Sequence, residues 1–225
     1  REVYAVVNGP DLASISSKSA LKAFMVDLAN NSTDSLVMCG LISVILPKAE
    51  AVTIPVNRIV SRIVIKKISR DFESKALSSL PFVIKRIYVS DAAGNINLEC
   101  TTSPTKWYNS GDKKDELPTL LSDKDLSIGI ENGSSYNTSH YYYTLPHNAG
   151  VKKTKIVIEA TLDNTTYYYP LELPAMERNK SYEFQNIVIK RPGADEPTDP
   201  VVSESISFNV EVADWTVVPI EEKII

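Results

Sequence analysis

The strongest constraint on this chain is an alternation of apolar and polar side chains with a period of two. In residues 205–215, Ile206, Phe208, Val210 and Val212 alternate with Ser207, Asn209, Glu211 and Ala213. Successive side chains of an extended chain point to opposite faces, so the pattern predicts a strand with one face on a core. A slip of one residue would bury Asn209 and Glu211. Residues 154–162 alternate likewise, with Ile156, Ile158, Ala160 and Leu162 on one side and Lys155, Glu159 and Thr161 mostly on the other. After the turn-prone Asp163-Asn164, Tyr167, Tyr169, Leu171 and Leu173 resume the pattern, which predicts a β-hairpin. Phe82, Ile84 and Tyr88 about Lys85 give another strand, and residues 182–190 change phase between Phe184 and Ile187, as at a bulge. Val56, Ile59, Val60, Ile63 and Val64 have helical spacing, but they are β-branched and follow Pro55. They read as a strand covered on both faces.

One short helix is expected in the N-terminal part. Leu21, Phe24, Met25 and Leu28 fall at i, i+3, i+4 and i+7, with Ser16 or Ser17 as N-cap and Asn30-Asn31 as the stop. Such a helix would lie across a sheet face. Residues 101–125 carry no convincing period and are rich in Ser, Asp, Lys and Pro, which makes them the candidate for a domain boundary or a long surface loop. Two β domains result, residues 1–102 and residues 103–225. Residues 191–200 hold three prolines and read as a loop joining two strands. Strands joined by loops rather than regular helices predict antiparallel β-sandwiches, not a doubly wound sheet.

Charge and residue inventory exclude several functions. Twenty-four Lys and Arg against 28 Asp and Glu leave a net charge of -4, so the cationic footprint of a nucleic-acid binder is missing. No apolar run reaches the ~18 residues of a membrane span, and residues 36–46 are interrupted by Cys39, Gly40 and Ser43. Residues 1–7 read as a strand and not as a signal peptide, so a processed or omitted upstream segment is expected. His140 and His147, seven apart, fit no metal-ligand spacing, and eight glycines form no phosphate-binding loop. Acidic pairs such as Asp123 with Asp125, or Glu221 with Glu222, read as solvated surface, and nothing local supports a Cys100–His140 nucleophile pair. No catalytic residue, metal or cofactor is expected, and the chain does not read as an enzyme. Cys39 lies in an apolar run and suits a small buried hydrophobe, while a disulfide to Cys100 stays open.

Two tyrosine triplets, residues 141–143 and 167–169, must each send at least one ring outward if they are strands. Trp107, Tyr142 and Tyr168 are therefore candidates for stacking on a glycan, against the plainer reading of tyrosine as amphipathic cover for a sheet or subunit interface.

The order Tyr4-Ala5-Val6-Val7-Asn8-Gly9-Pro10, Leu36-Val37-Met38-Cys39-Gly40, Val56-Asn57-Arg58-Ile59-Val60-Ser61-Arg62-Ile63 and Phe82-Val83-Ile84-Lys85-Arg86-Ile87-Tyr88-Val89 resembles the N-terminal half of the Bacteroidales fimbrillins, the subunits of type V pili. The likeness continues through Tyr142-Tyr143-Thr144-Leu145-Pro146-His147-Asn148, Lys155-Ile156-Val157-Ile158-Glu159-Ala160, Tyr168-Tyr169-Pro170-Leu171, Arg178-Asn179-Lys180-Ser181-Tyr182 and Val212-Ala213-Asp214-Trp215. The resemblance implies two transthyretin-like β-sandwich domains, export of a precursor to the outer membrane as a lipoprotein, and assembly into a cell-surface fimbrium. It also implies that an arginine-specific protease removes a first strand and that the groove left accepts a strand from the next subunit. The lipoprotein cysteine, its signal and the usual first strand are not in this sequence, and Arg1 by itself does not mark a processing site. The implied partners are other fimbrial subunits, with host or bacterial surface ligands a consequence of assembly.

Strand addition would satisfy exposed ladder groups and apolar pockets together. The family's donor is C-terminal; here Val218, Ile220 and Ile224 share one parity in residues 216–225, with Pro219 on the other. The alternative is a tail packed on its own domain. The rival function is a monomeric surface lipoprotein that binds glycans through its exposed aromatics.

Overall fold

The computed structural model describes residues 1–45, 51–148, 150, 152–201 and 205–215. The chain is mainly β, with several antiparallel sheets and short helices, consistent with a β-sandwich. One large sheet centres on Phe82–Ser90, which pairs with Lys155–Leu162 on one side and with Ser122–Asp123 and Ile128–Gly129 on the other. Lys155–Leu162 then turns back into Thr165–Glu172. This is the expected hairpin. Asp163 and Asn164 both take positive φ, 47° and 68°, the geometry that matches a two-residue turn to strand twist.

The opposing layer is four strands wide, in the order His140–Thr144, Ser61–Ile65, Lys180–Phe184, Val210–Asp214. All its pairs are antiparallel except Ser61–Ile65 with Lys180–Phe184, which is parallel. Each strand is broken near the same level and continues as Ser135–Tyr136, Ile68–Arg70, Ile187–Ile189 and Ile206–Ser207. The break after Phe184 is the phase change seen in the sequence. Because all four strands break together, the layer bends without losing register. Ile63, Ile65, Tyr182 and Phe184 from this layer and Ile84, Ile87, Ile158, Tyr169 and Leu171 from the other join one hydrophobic core.

Two expectations need correction. The helix is Lys18–Ala23, capped by the Ser17 hydroxyl accepting from the Ala20 N–H, and it buries none of its residues. Phe24 already has extended backbone, and Met25–Asp27 is a strand paired with Asn95–Asn97. The apolar spacing of Leu21, Phe24, Met25 and Leu28 thus spans a helix, a strand and a 3-10 turn. Residues 101–125, where the domain boundary is expected, also contribute to packing: Tyr108, Leu120 and Leu121 are buried in the core, and Asn109 is wholly buried. Strands on either side of the expected 102/103 boundary are hydrogen-bonded neighbours, Phe82–Ser90 with Lys155–Leu162 and Ser61–Ile65 with both His140–Thr144 and Lys180–Phe184.

The second correction concerns the C-terminal alternation. It forms two short strands, Ile206–Ser207 and Val210–Asp214, at the rim of the layer. Register puts Val212 opposite Tyr182, yet Val212 is 52% exposed and Phe208 40% exposed. The parity expected from sequence is kept, but an edge strand presents part of its apolar row to solvent. By contrast, Ser61–Ile65 is a central strand with Ile63, Val64 and Ile65 buried, as its β-branched composition predicts.

Candidate functional site

The unusual element is a separate three-stranded antiparallel sheet, Glu2–Val7, Met38–Ser43 and Asn57–Arg58. Val6 pairs with Cys39, Tyr4 with Leu41 and Val3 with Ile42. Asn57–Arg58 covers only Met38 and Cys39 of the middle strand. No residue of the sheet is buried, although most of its side chains are apolar. A sheet normally loses one face to a core. Here Val3, Val7 and Leu41 stay exposed, Leu41 by 44%. Among the described residues Glu2–Val7 is hydrogen-bonded on one side only, to Met38–Ser43, and none of them pairs with its other edge.

Beneath this sheet lies a cavity of about 580 Å³ lined by Tyr4, Val6, Cys39, Leu41, Pro55 and Leu98, with Arg178 among its polar groups. Its floor is firm, because Leu98 belongs to the core. Polar groups hold the rim. The Tyr4 hydroxyl donates to Glu99 Oε1 at 3.1 Å, and Lys22 Nζ stands 2.9 Å from the same oxygen. The Lys22 contact holds the Glu99 carboxyl below the usual range. Gly40 is required at the centre of the middle strand: a Cβ there would stand 2.0 Å from the Pro55 carbonyl oxygen. Residues 51–56 can cross the strand closely only because that side chain is missing.

The last described residues are fixed firmly. Trp215 stacks on Tyr143 with ring centres 5.8 Å apart and interplanar angle 26°. The Arg58 and Arg62 guanidinium carbons lie 4.3 and 4.7 Å from the Trp215 ring centre. This clamp ties the strand that precedes residue 216 to both Asn57–Arg58 and Ser61–Ile65. The donor-strand residues Val218, Ile220 and Ile224 lie outside the described residues.

The aromatic candidates do not assemble. Tyr142 is 1% exposed and donates its hydroxyl to Asp123 Oδ2 at 2.8 Å, so no ring face is free for a sugar; Tyr141 is the triplet's exposed member. The strand parity is right, but the middle ring points into the core. Trp107 is half-buried, with His147 edge-on at 5.3 Å and Lys152 Nζ 5.8 Å from its ring centre. Tyr168 is half-buried in Thr165–Glu172. The three sit on three different sheets.

Asp123 does more than an exposed acid would. Its Oδ2 also meets His140 Nδ1 at 2.7 Å, and the His140 contact, then that of Tyr142, holds the carboxyl below its usual range against burial. This link has no sequence signature, since Asp123 stands on Ser122–Asp123 and both its partners on the separate strand His140–Thr144. His140 Nε2 is buried without a hydrogen-bond partner, and no hydroxyl or thiol nucleophile stands against it among the described residues. Nor do the described residues include three His, Cys, Asp or Glu grouped to hold a metal. No described helix is long and apolar enough to cross a membrane.

No protein-family model matches the chain, and no curated protein matches it by sequence. Solved structures do match its fold. A candidate cell adhesion protein from Bacteroides eggerthii superposes with a TM-score of 0.72 over 95% of this chain and 77% of its own, at 17% identity. A fimbrilin from Porphyromonas gingivalis gives 0.67 over 97% and 81%, at 14% identity. A candidate cell adhesion protein from Parabacteroides distasonis gives 0.65 over 97% and 76%, at 16% identity. The chain therefore has the fimbrillin-like fold of these Bacteroidales proteins.

Proposed function

We propose that this chain is a structural subunit of a cell-surface fimbria that polymerises by strand exchange between copies. The observation that carries this reading is the N-terminal sheet: it buries none of its residues, overlies an apolar cavity and, among the described residues, keeps one edge unpaired. An incoming strand along Glu2–Val7 would complete the ladder while side chains of one parity enter the space beside Tyr4, Val6 and Leu41. Residues 216–225 are the donor on this reading, with Val218, Ile220 and Ile224 as the inserted row. The Trp215 clamp supports it, because it fixes the point from which those residues leave. Similarity of fold to a fimbrilin and to candidate adhesion proteins supports the surface location, and association with other fimbrial subunits supplies adhesion. Lipoprotein export of a precursor belongs to the same reading.

The same geometry favours a different division of the chain: one unit built on the open sheet and the Met25–Asp27 pairing, and one built on the two large layers. The burial of Tyr142 weighs against a glycan-binding monomer. The test is deletion of residues 216–225. Polymers should vanish while the circular dichroism spectrum and melting of the body are kept; polymers that persist would remove residues 216–225 as donor.

A further inference from the structure

Cys39 and Cys100 are the only two cysteines in the chain, and both are free thiols of intermediate burial. The fold brings them together. Cys39 stands on Met38–Ser43, the middle strand of the open sheet, and its thiol donates to the Leu98 carbonyl at 2.9 Å. Two residues further on the chain turns back: the Cys100 N–H donates to the Asn97 carbonyl at 2.8 Å, and Cys100 takes a left-handed φ of 56°. Arg178 joins the two sides. Its Nη2 lies 3.2 Å from the Cys39 carbonyl oxygen and 3.4 Å from Cys39 Sγ, and its positive charge acts on the Cys100 thiol. The thiols also couple electrostatically to each other, though burial is the main influence on Cys100 and pushes it up to about 11. Both open to solvent-accessible space, Cys39 to the 580 Å³ cavity and Cys100 to a neighbouring one of about 310 Å³; Glu99, Thr101 and Arg178 line both.

We propose that Cys39 and Cys100 are a thiol pair that closes into an intramolecular disulfide when a small organic disulfide, such as oxidised glutathione, enters the cavity. The link would tie the open sheet to the Asn95–Asn97 strand and its turn below. In the first step the Cys39 thiolate attacks one sulfur of the organic disulfide, whose S–S bond breaks and whose other half leaves as a thiol carrying the proton. In the second, the Cys100 thiolate attacks Cys39 Sγ of the mixed disulfide and expels the remaining half as a second thiol. Two protein thiols are oxidised and one organic disulfide is reduced to two thiols. Arg178 gives up its place beside the sulfurs as they join. The raised Cys100 value makes the second step faster in alkali. This pair stands apart from strand exchange, since a chain that never polymerises would still form it.

The test uses the full chain treated with oxidised glutathione, blocked with N-ethylmaleimide, digested without reductant and mapped by mass spectrometry. The expected product is a Cys39–Cys100 linked peptide from monomeric protein, with both cysteines becoming alkylable again after dithiothreitol. In Cys100→Ser, glutathione should remain on Cys39 because no resolving thiol is present. Two thiols that stay alkylable, a persistent glutathione cap on the unmutated chain, or a link between two chains would each overturn the proposal.

Discussion

Leu41→Asp separates assembly from folding. In the monomer Leu41 is 44% exposed at the mouth of the cavity, so a carboxylate there stays hydrated and folding should change by about 0.5 kcal/mol or less, as at other surface sites. Covering Leu41 with an added strand would remove that remaining exposure. Full burial of a leucine is worth about 1.5–3 kcal/mol, so the covered part contributes roughly 1 kcal/mol to binding. The aspartate forfeits this and adds an unpaired charge to a closing apolar space, which costs several kcal/mol even after relaxation. A combined loss of about 4 kcal/mol weakens strand binding roughly a thousandfold. The assay is fluorescence anisotropy of a labelled peptide of residues 216–225, titrated with chain lacking those residues, alongside thermal melts of both proteins. Val212→Asp, exposed at the rim of the other sheet, is the control and should bind like the parent. Equal affinity for parent and Leu41→Asp, with both folded, would refute the placement of the acceptor groove.

Other variants test the supports of the site. Gly40→Ala forces a methyl against the Pro55 carbonyl and should cost about 1–3 kcal/mol, read as a lowered urea midpoint. Trp215→Ala removes a ring held by Arg58, Arg62 and Tyr143 and should cost about 3–5 kcal/mol; Trp215→Phe should recover part of that loss. His147 is kept neutral by burial, which lowers its pKa, so the unfolded chain takes up a proton first as acidity rises. Its contribution is complete above about pH 6.5 and falls as pH drops through the folded value. His147→Gln should flatten the dependence of denaturation midpoint on pH between about 7 and 5.

What the sequence revealed depended on how local the cause was. The hairpin of Lys155–Leu162 and Thr165–Glu172 was legible because its turn residues and both alternating runs are contiguous. Ser61–Ile65 was legible because continuous β-branched burial marks a central strand. Its parallel partner was not, since Arg62 and Ser181, joined by a hydrogen bond, are 119 residues apart. In residues 101–125 the polar composition concealed the signal of Leu117, Leu120 and Leu121, three apolar residues that close on the core as part of a short helix start. The helix ended early because Phe24 and Met25 satisfy either a helical stripe or a strand, and pairing with Asn95–Asn97 decided between them. At the site, the apolar run around Met38–Ser43 was visible but read as interior, because alternation shows which side is apolar and not whether anything covers it. Tyr142 shows the same limit in reverse: its parity was readable, while the direction of the core was not.

The parallel union of Ser61–Ile65 with Lys180–Phe184 also sets a timetable for biogenesis. The strand made early waits for a neighbour 119 residues further along the chain, and loops of that span close slowly. Until then its β-branched surface is a hazard for premature clumping. A chaperone that shields residues 61–65 until then would therefore raise the yield of native molecules, and slowing synthesis of the partner strand should lower it.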